Sequence, residues 1–389
     1  MDKMAFLIKL KIKKFKLSIR GWYMPISLFI MLASCGTNSS KDNFENINNY
    51  TLEKVDELTI PLDSLTKRIH QISYFSDESD LFMIYNELVH SIYIYNINDS
   101  DDRVKIELNQ EGPNGLDEVV SMYTQDGVHF TLLTNSQELV EVNAKGEVIK
   151  RKQFLSYANG DAALVNRPKI FKIMDDYYVS VRPSALSKKE KYTFLAKGSF
   201  DSNNIDYLFM YPKDLNYSDW STMINEVKLA YIESNNHFVA SMPFTEKLYS
   251  FNLENRRISE YKASSNIMTS PTPKTQFKGI SNSRDFLLTN SWYLNLLYDK
   301  NNKTYYRYGN LGSDKVNGNY VSKNNQNLYH TILILDEKFR KIGEVTGLNL
   351  WGYSFINDGL LYTPNYKANP NSEDSFVFDI YELKSLESN

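Results

Sequence analysis

Residues 125–154 read QDGVHFTLLTNSQELVEVNAKGEVIKRKQF, and this stretch sets the architecture. Asp126-Gly127 leads into an apolar run, VHFTLL. The polar turn TNSQ leads into ELVEVN, and AKGE leads into VIKRKQF. Gly, Asn and Asp tolerate the backbone angles that tight turns between antiparallel strands require. Three short strands within thirty residues form a β-meander.

Similar units recur along the chain. Paired strands are expected at 80–87 and 91–97, at 127–134 and 138–143, at 176–183 and 191–198, and at 236–243 and 247–253. Three more pairs follow at 285–290 and 293–299, 318–323 and 329–336, and 359–365 and 376–383. Most are followed by a polar strand such as RVKIEL, RISEYKA or KIGEVTG, across a turn rich in Asp, Asn and Gly. A period of ~40–55 residues with three or four strands per unit is the pattern of a propeller blade. The expected fold is therefore an all-β β-propeller over 51–389. The pairs count to seven blades, and the indistinct strand at 318–323 leaves six open. The last pair lacks a following strand. TLEKVDELTIPLD (51–63) supplies one from the N-terminus, which removes the open edges of the ring. A β-sandwich, or two separate β-domains, is the alternative. No strong amphipathic helix stands out, and 214–231 is read as a short inserted helix.

Composition agrees with strands. Of 389 residues, 28 are Tyr and 21 are Phe. A net charge of −3 gives no global basic field, and no nucleic-acid partner is expected. Mean hydropathy of −0.44, with one apolar run near the N-terminus, excludes a polytopic membrane protein.

The single cysteine, Cys35, rules out an internal disulfide and a Cys-based zinc site. Residues 1–20 carry six lysines and Arg20, and then comes MPISLFIMLAS, too short to span a bilayer. Leu32-Ala33-Ser34-Cys35 resembles a bacterial lipobox, so 1–35 is expected to be a lipoprotein signal peptide with Cys35 lipidated. Residues 36–50 are polar and read as a tether between lipid and domain. Gly36 after the cysteine favours the outer membrane, facing either the periplasm or the exterior.

The lipobox, the turn Glu111-Gly112-Pro113-Asn114-Gly115 after VKIEL, and the meanders together resemble a family of propeller lipoproteins of unknown function from Gram-negative gut bacteria. NHL and TolB propellers are similar. The resemblance spans most of 50–385. It implies a six- or seven-bladed ring in the periplasm or at the cell surface, and it implies no catalytic residues.

Candidate chemistry is sparse. Arg167 and Arg182 each precede a proline near strand ends, where a guanidinium could clamp a carboxylate or phosphate or form a surface ion pair. Trp292, Trp351 and Trp220 could stack on a sugar or fill space between blades. The five histidines are His70, His90, His129, His237 and His330. None pairs at metal-ligand spacing, though His237 could face a ligand. Asn98–Asp102 offers oxygen ligands without the spacing of a calcium loop and reads as a hairpin tip. The EGPNG turn could hold an anion on its backbone N–H groups or simply join two blades. No nucleophile elbow, Walker loop or dinucleotide glycine pattern is present, and no metal or cofactor is expected. The expected function is a lipid-anchored envelope protein that binds a peptide, glycan or partner protein on one propeller face. The alternative is a polysaccharide hydrolase or lyase with its site in the funnel.

Overall fold

A computed structural model describes residues 49–62, 71–74, 80–155, 162–165, 168–183, 193–212, 227–270, 280–316, 319–322, 330–348, 353–365 and 375–386. Residues 1–48, with the expected signal peptide and Cys35, lie outside them, as do His70, Arg167, Trp220 and Trp351.

Strands dominate the described residues. The first strand, β1 (Tyr50–Pro61), is set aside until the end of the chain. The first meander comprises β2 (Gln71–Tyr74), β3 (Leu81–Asn86), β4 (Ser91–Asn96) and β5 (Asp99–Glu107). The second comprises β6 (Val119–Thr124), β7 (His129–Thr134), β8 (Glu138–Asn143) and β9 (Val148–Gln153). In the third, β10 (Ala162–Leu164) and β11 (Ile170–Ile173) share the first position against β12 (Asp176–Pro183), followed by β13 (Thr193–Gly198) and β14 (Asp206–Met210). The fourth runs β15 (Lys228–Ile232), β16 (His237–Ser241), β17 (Lys247–Asn252) and β18 (Ile258–Lys262).

A helix, α1 (Ile280–Thr289), precedes the fifth meander. That meander contains β19 (Trp292–Asp299) and β20 (Thr304–Asn310). The chain then makes a separate hairpin, β21 (Ser313–Val316) and β22 (Asn319–Ser322), and returns as β23 (His330–Leu335) and β24 (Lys341–Thr346). The sixth runs β25 (Phe355–Asn357), β26 (Leu360–Pro364) and β27 (Ser375–Ser385), and β1 completes it.

The quoted stretch shows how sequence makes this repeat. The Asp126 carboxylate accepts the N–H groups of Val128 (2.9 Å) and His129 (2.8 Å), closing the turn into β7. Asn143 does the same between β8 and β9, accepting from Lys145 and Glu147 at 2.9 and 3.0 Å. Gly146 stands at φ +78°, and a Cβ there would lie 2.1 Å from the Glu107 carbonyl of the first meander. The middle strands are buried on both faces, so they read as continuous apolar runs, whereas β9 exposes Ile149, Lys150 and Arg151.

Successive side chains on a strand point to opposite faces, so each middle strand serves two cores. Phe82, Ile84, Tyr93 and Tyr95 of the first meander pack with Phe355, Phe378 and Ile380 of the sixth. Their neighbours Met83, Tyr85, Ile92 and Ile94 pack with Phe130 and Leu132 of the second. Further cores join the second to the third, the third to the fourth, the fourth to the fifth and the fifth to the sixth. The six cores thus link the six meanders in a closed cycle.

The N-terminal strand takes the place expected for it. β1 lies antiparallel to β27, from Tyr50 opposite Ser385 to Pro61 opposite Ser375, with an irregularity between Lys54 and Asp56. Tyr50 also meets Gly343 of β24, where a Cβ would stand 2.3 Å from the Tyr50 carbonyl.

The seven expected strand pairs fold as six meanders: the first, second and fourth are four-stranded sheets, the third has five strands, and the fifth and sixth join through β24 and β1 in one eight-stranded sheet. Residues 285–290 form the end of α1 and its cap, not a strand. A short apolar run such as Phe286-Leu287-Leu288 has no periodicity that separates helix from strand. Here Phe286 and Leu287 turn onto the core between the third and fourth meanders. The polar-looking TYYRYG is the second strand of its sheet, with Tyr305, Tyr306, Arg307 and Tyr308 all buried. Residues 319–322 lie in the side hairpin, so the fifth and sixth expected pairs merge into one meander. The helix expected over 214–231 has its last residues in β15, and 213–226 lie outside the described residues. Among the described residues no helix is long and apolar enough to cross a membrane.

Candidate functional site

Strands alternate in direction within each meander, so the connections sort onto two ends. At one end lie the turns between first and second strands and between third and fourth. They are short: 97–98, 125–128, 144–147, 174–175, 233–236, 253–257, 300–303, 336–340 and 358–359, with 199–205 the longest. At the opposite end lie the connections between second and third strands and those between meanders. These include 108–118, 184–192, 211–227, 263–291 with α1, 311–329 with the side hairpin, and 365–374.

Side chains fasten the long-connection end where the fourth and fifth meanders meet. Arg307, on β20, is fully buried. Its Nε donates to Ser241 Oγ at 2.9 Å and Nη1 to the Ala263 carbonyl at 2.8 Å. Nη2 donates to the carbonyls of Thr245 (2.7 Å) and Lys247 (3.2 Å). The guanidinium carbon stands 3.3 Å from the centre of the Tyr293 ring. Burial lowers its pKa to about 10, so the group remains charged at neutral pH.

Two strands across the sheet, in register with Arg307 through Leu333, the Glu344 side chain is only 3% exposed. Its carboxylate accepts from Asn266 N (3.0 Å), Thr331 Oγ1 (3.2 Å), Lys341 Nζ (3.1 Å) and the Ser265 hydroxyl. Together Arg307 and Glu344 fix the start of the connection that carries α1. Neither was singled out from sequence. For Arg307 the signal available was a charge at a buried register within an aromatic strand; KIGEVT offers no such signal for Glu344.

Of the predicted site residues, the three described, Arg182, His237 and Trp292, are not brought together, and Arg167 lies outside the described residues. Trp292, half-buried at the start of β19, donates its indole N–H to the Leu287 carbonyl at 3.0 Å and so holds the end of α1. Asn310 reaches the same carbonyl at 3.3 Å, and Lys315 of the side hairpin pairs with Asp285 of the helix at 2.8 Å. Arg182 lies near the end of β12, also at the long-connection end, and its Nε donates to the Leu164 carbonyl at 3.0 Å. His237 opens β16 at the opposite, short-turn end. Its Nδ1 bonds the Asn235 carbonyl and its Nε2 stands 3.4 Å from Asn252 Nδ2.

The remaining candidates have local partners. Gly112–Gly115 closes a turn, with Gly115 N donating to the Gly112 carbonyl at 2.9 Å. Asn114 accepts from Val148 N at 3.3 Å, and Arg151 donates to the Gly115 carbonyl. EGPNG therefore joins the first meander to the second and is tied to the latter's outermost strand. Asn98 bonds Asp80 at 2.7 Å at the tip of the β4–β5 hairpin.

His90 is buried, 2.8 Å from the Tyr85 hydroxyl, and burial lowers its pKa. Burial lowers that of His330 to about 4. His129 pairs with Asp126 at 2.7 Å. Burial acts to raise the Asp126 pKa, but the N–H groups and ring of His129, with Val128 N, outweigh it and hold it at about 2. Among the described residues no group of three or more His, Cys, Asp or Glu is placed to hold a metal ion.

Comparison with known proteins adds a family. Residues 49–346 match the family model described as a domain of unknown function, DUF4221. A crystal structure of a member of that family from Bacteroides vulgatus superposes with a TM-score of 0.71 at 20% identity, over 87% of this chain and 99% of that one. A Bacteroides fragilis protein described as exported superposes with a TM-score of 0.55 at 14% identity, over 86% and 95% of the two chains. No curated protein matches.

Proposed function

The chain belongs to the DUF4221 family, and we propose that its six meanders are the blades of a β-propeller that binds a ligand at its long-connection end. The observation that carries this reading is the asymmetry between the ends, with 263–291 and 311–329 at one and nothing beyond 199–205 at the other among the connections described above. A closed cycle of cores gives a rigid frame, and long connections on a rigid frame are where binding residues concentrate. In this reading the anchor is lipid on Cys35, and Gly36 after it favours the outer membrane.

The ligand class is a peptide, a glycan or a partner protein. Arg167 and Arg182 are the candidates to meet a carboxylate or phosphate, and Trp292 acts by positioning α1 on that face. No cofactor is required for binding. The test is to offer glycans and envelope proteins to the chain from residue 36 onward, alongside Arg182→Ala and His237→Ala. Saturable binding that falls with Arg182→Ala and persists with His237→Ala supports the reading. Binding that is lost only on changing His237 refutes the choice of face, and cleavage of an offered polysaccharide replaces binding with catalysis.

A further inference from the structure

We infer that the short-turn end of the domain lies toward the bilayer and the long-connection face is presented away from it. The inference rests on the lipid anchor at Cys35 and adds to it an orientation that the direction of β1 imposes. Tyr50 pairs with Ser385, whereas Pro61 pairs with Ser375, where the connection 365–374 leaves the sheet. The chain therefore enters the domain at the short-turn end. Its point of entry is fixed on both sides: Asn49 N donates to the Ile342 carbonyl at 2.9 Å, and the Asn49 carbonyl accepts from Leu386 N.

The lengths then decide between orientations. Thirteen residues, 36–48, lie between Cys35 and Asn49. Thirteen residues span at most about 45 Å even when fully extended. The twelve residues of β1 span about 40 Å along the sheet. To bring the long-connection end against the lipid, that segment would have to run back along the whole of β1 and use nearly all of its greatest possible length. The orientation with the short turns nearest the bilayer needs no such stretching.

The test uses the full-length lipidated protein in phosphatidylcholine–phosphatidylglycerol vesicles that carry a headgroup energy acceptor. A donor dye is placed on Met174→Cys in one sample and on Leu88→Cys in another. Met174 lies in the short turn 174–175 and is 90% exposed; Leu88 lies in the opposite connection 87–90 and is 65% exposed. Acylated Cys35 does not react with the dye. Energy transfer roughly twofold greater from position 174 than from position 88 is expected from the difference in height above the lipid. Equal transfer, or greater transfer from position 88, overturns the orientation while leaving the anchor standing. Failure to bind vesicles, with Cys35 itself taking up the dye, overturns the anchor and the orientation together.

Discussion

Replacing Arg307 tests how the fourth and fifth meanders are joined. The side chain is fully buried and makes four hydrogen bonds, three of them to backbone carbonyls of the fourth meander and the connection that follows it. Charge-assisted hydrogen bonds contribute about 1.5–3 kcal/mol each, and the desolvation of a buried ion offsets several kcal/mol of that sum. Removing the guanidinium also strands the carbonyls of Ala263, Thr245 and Lys247, at about 1–3 kcal/mol for each that water cannot reach. Arg307→Ala is therefore expected to destabilise the domain by about 3–5 kcal/mol, a large part of the ~5–15 kcal/mol typical of a folded domain. Arg307→Lys keeps the charge but not the planar fork, and should lie between wild type and Ala. Urea unfolding followed by tryptophan fluorescence reads both variants, because Trp292 adjoins Tyr293. A loss under about 1 kcal/mol in Arg307→Ala would show that the buried cation is merely tolerated and would refute the reasoning.

Gly343→Ala should weaken closure by about 1–3 kcal/mol, since its Cβ would stand 2.3 Å from the Tyr50 carbonyl; faster proteolysis near residue 50 is the measurement. His330 has its pKa lowered from 6.5 to about 4, so the unfolded chain takes up a proton that the folded one refuses. Its contribution is complete above pH ~6.5 and declines as pH falls toward ~4, by up to about 3 kcal/mol, and His330→Gln should flatten that part of the stability–pH curve. Cys35→Ala should release the protein from membranes or leave its precursor uncleaved, and unchanged processing and membrane retention would count against the lipobox.

The middle strands were legible because they are buried on both faces: LFMIYN and SIYIYN announce themselves as apolar runs closed by Asn and Asp turns. β1 was legible as the missing partner of β27 because its alternating sequence had no neighbour of its own. α1 was not, because Phe286-Leu287-Leu288 fits either period. β20 was misplaced because Arg307 made an inner strand look like an outer one. The candidate site was less legible than the fold. Trp292 was noticed as a ring that could stack, yet its bond to Leu287 sets the helix. His237 and Arg182 fall at opposite ends, a fact that depends on strand direction and not on residue type.

The pairing of β1 with β27 fixes the order in which this molecule can be completed. Tyr50 and Ser385 are 335 positions apart (385 − 50), so the first strand to leave the ribosome waits for the last. At ~5–20 residues per second that wait is roughly 17–67 s, far longer than a hairpin needs to form. β1 is equipped for it. Glu53, Lys54, Asp56 and Glu57 remain exposed even in the finished sheet, and charges along an unpaired edge deter pairing with other chains. When β27 arrives, Lys54 finds Asp379 at 2.6 Å. The same charges that keep the waiting strand soluble then help set its register.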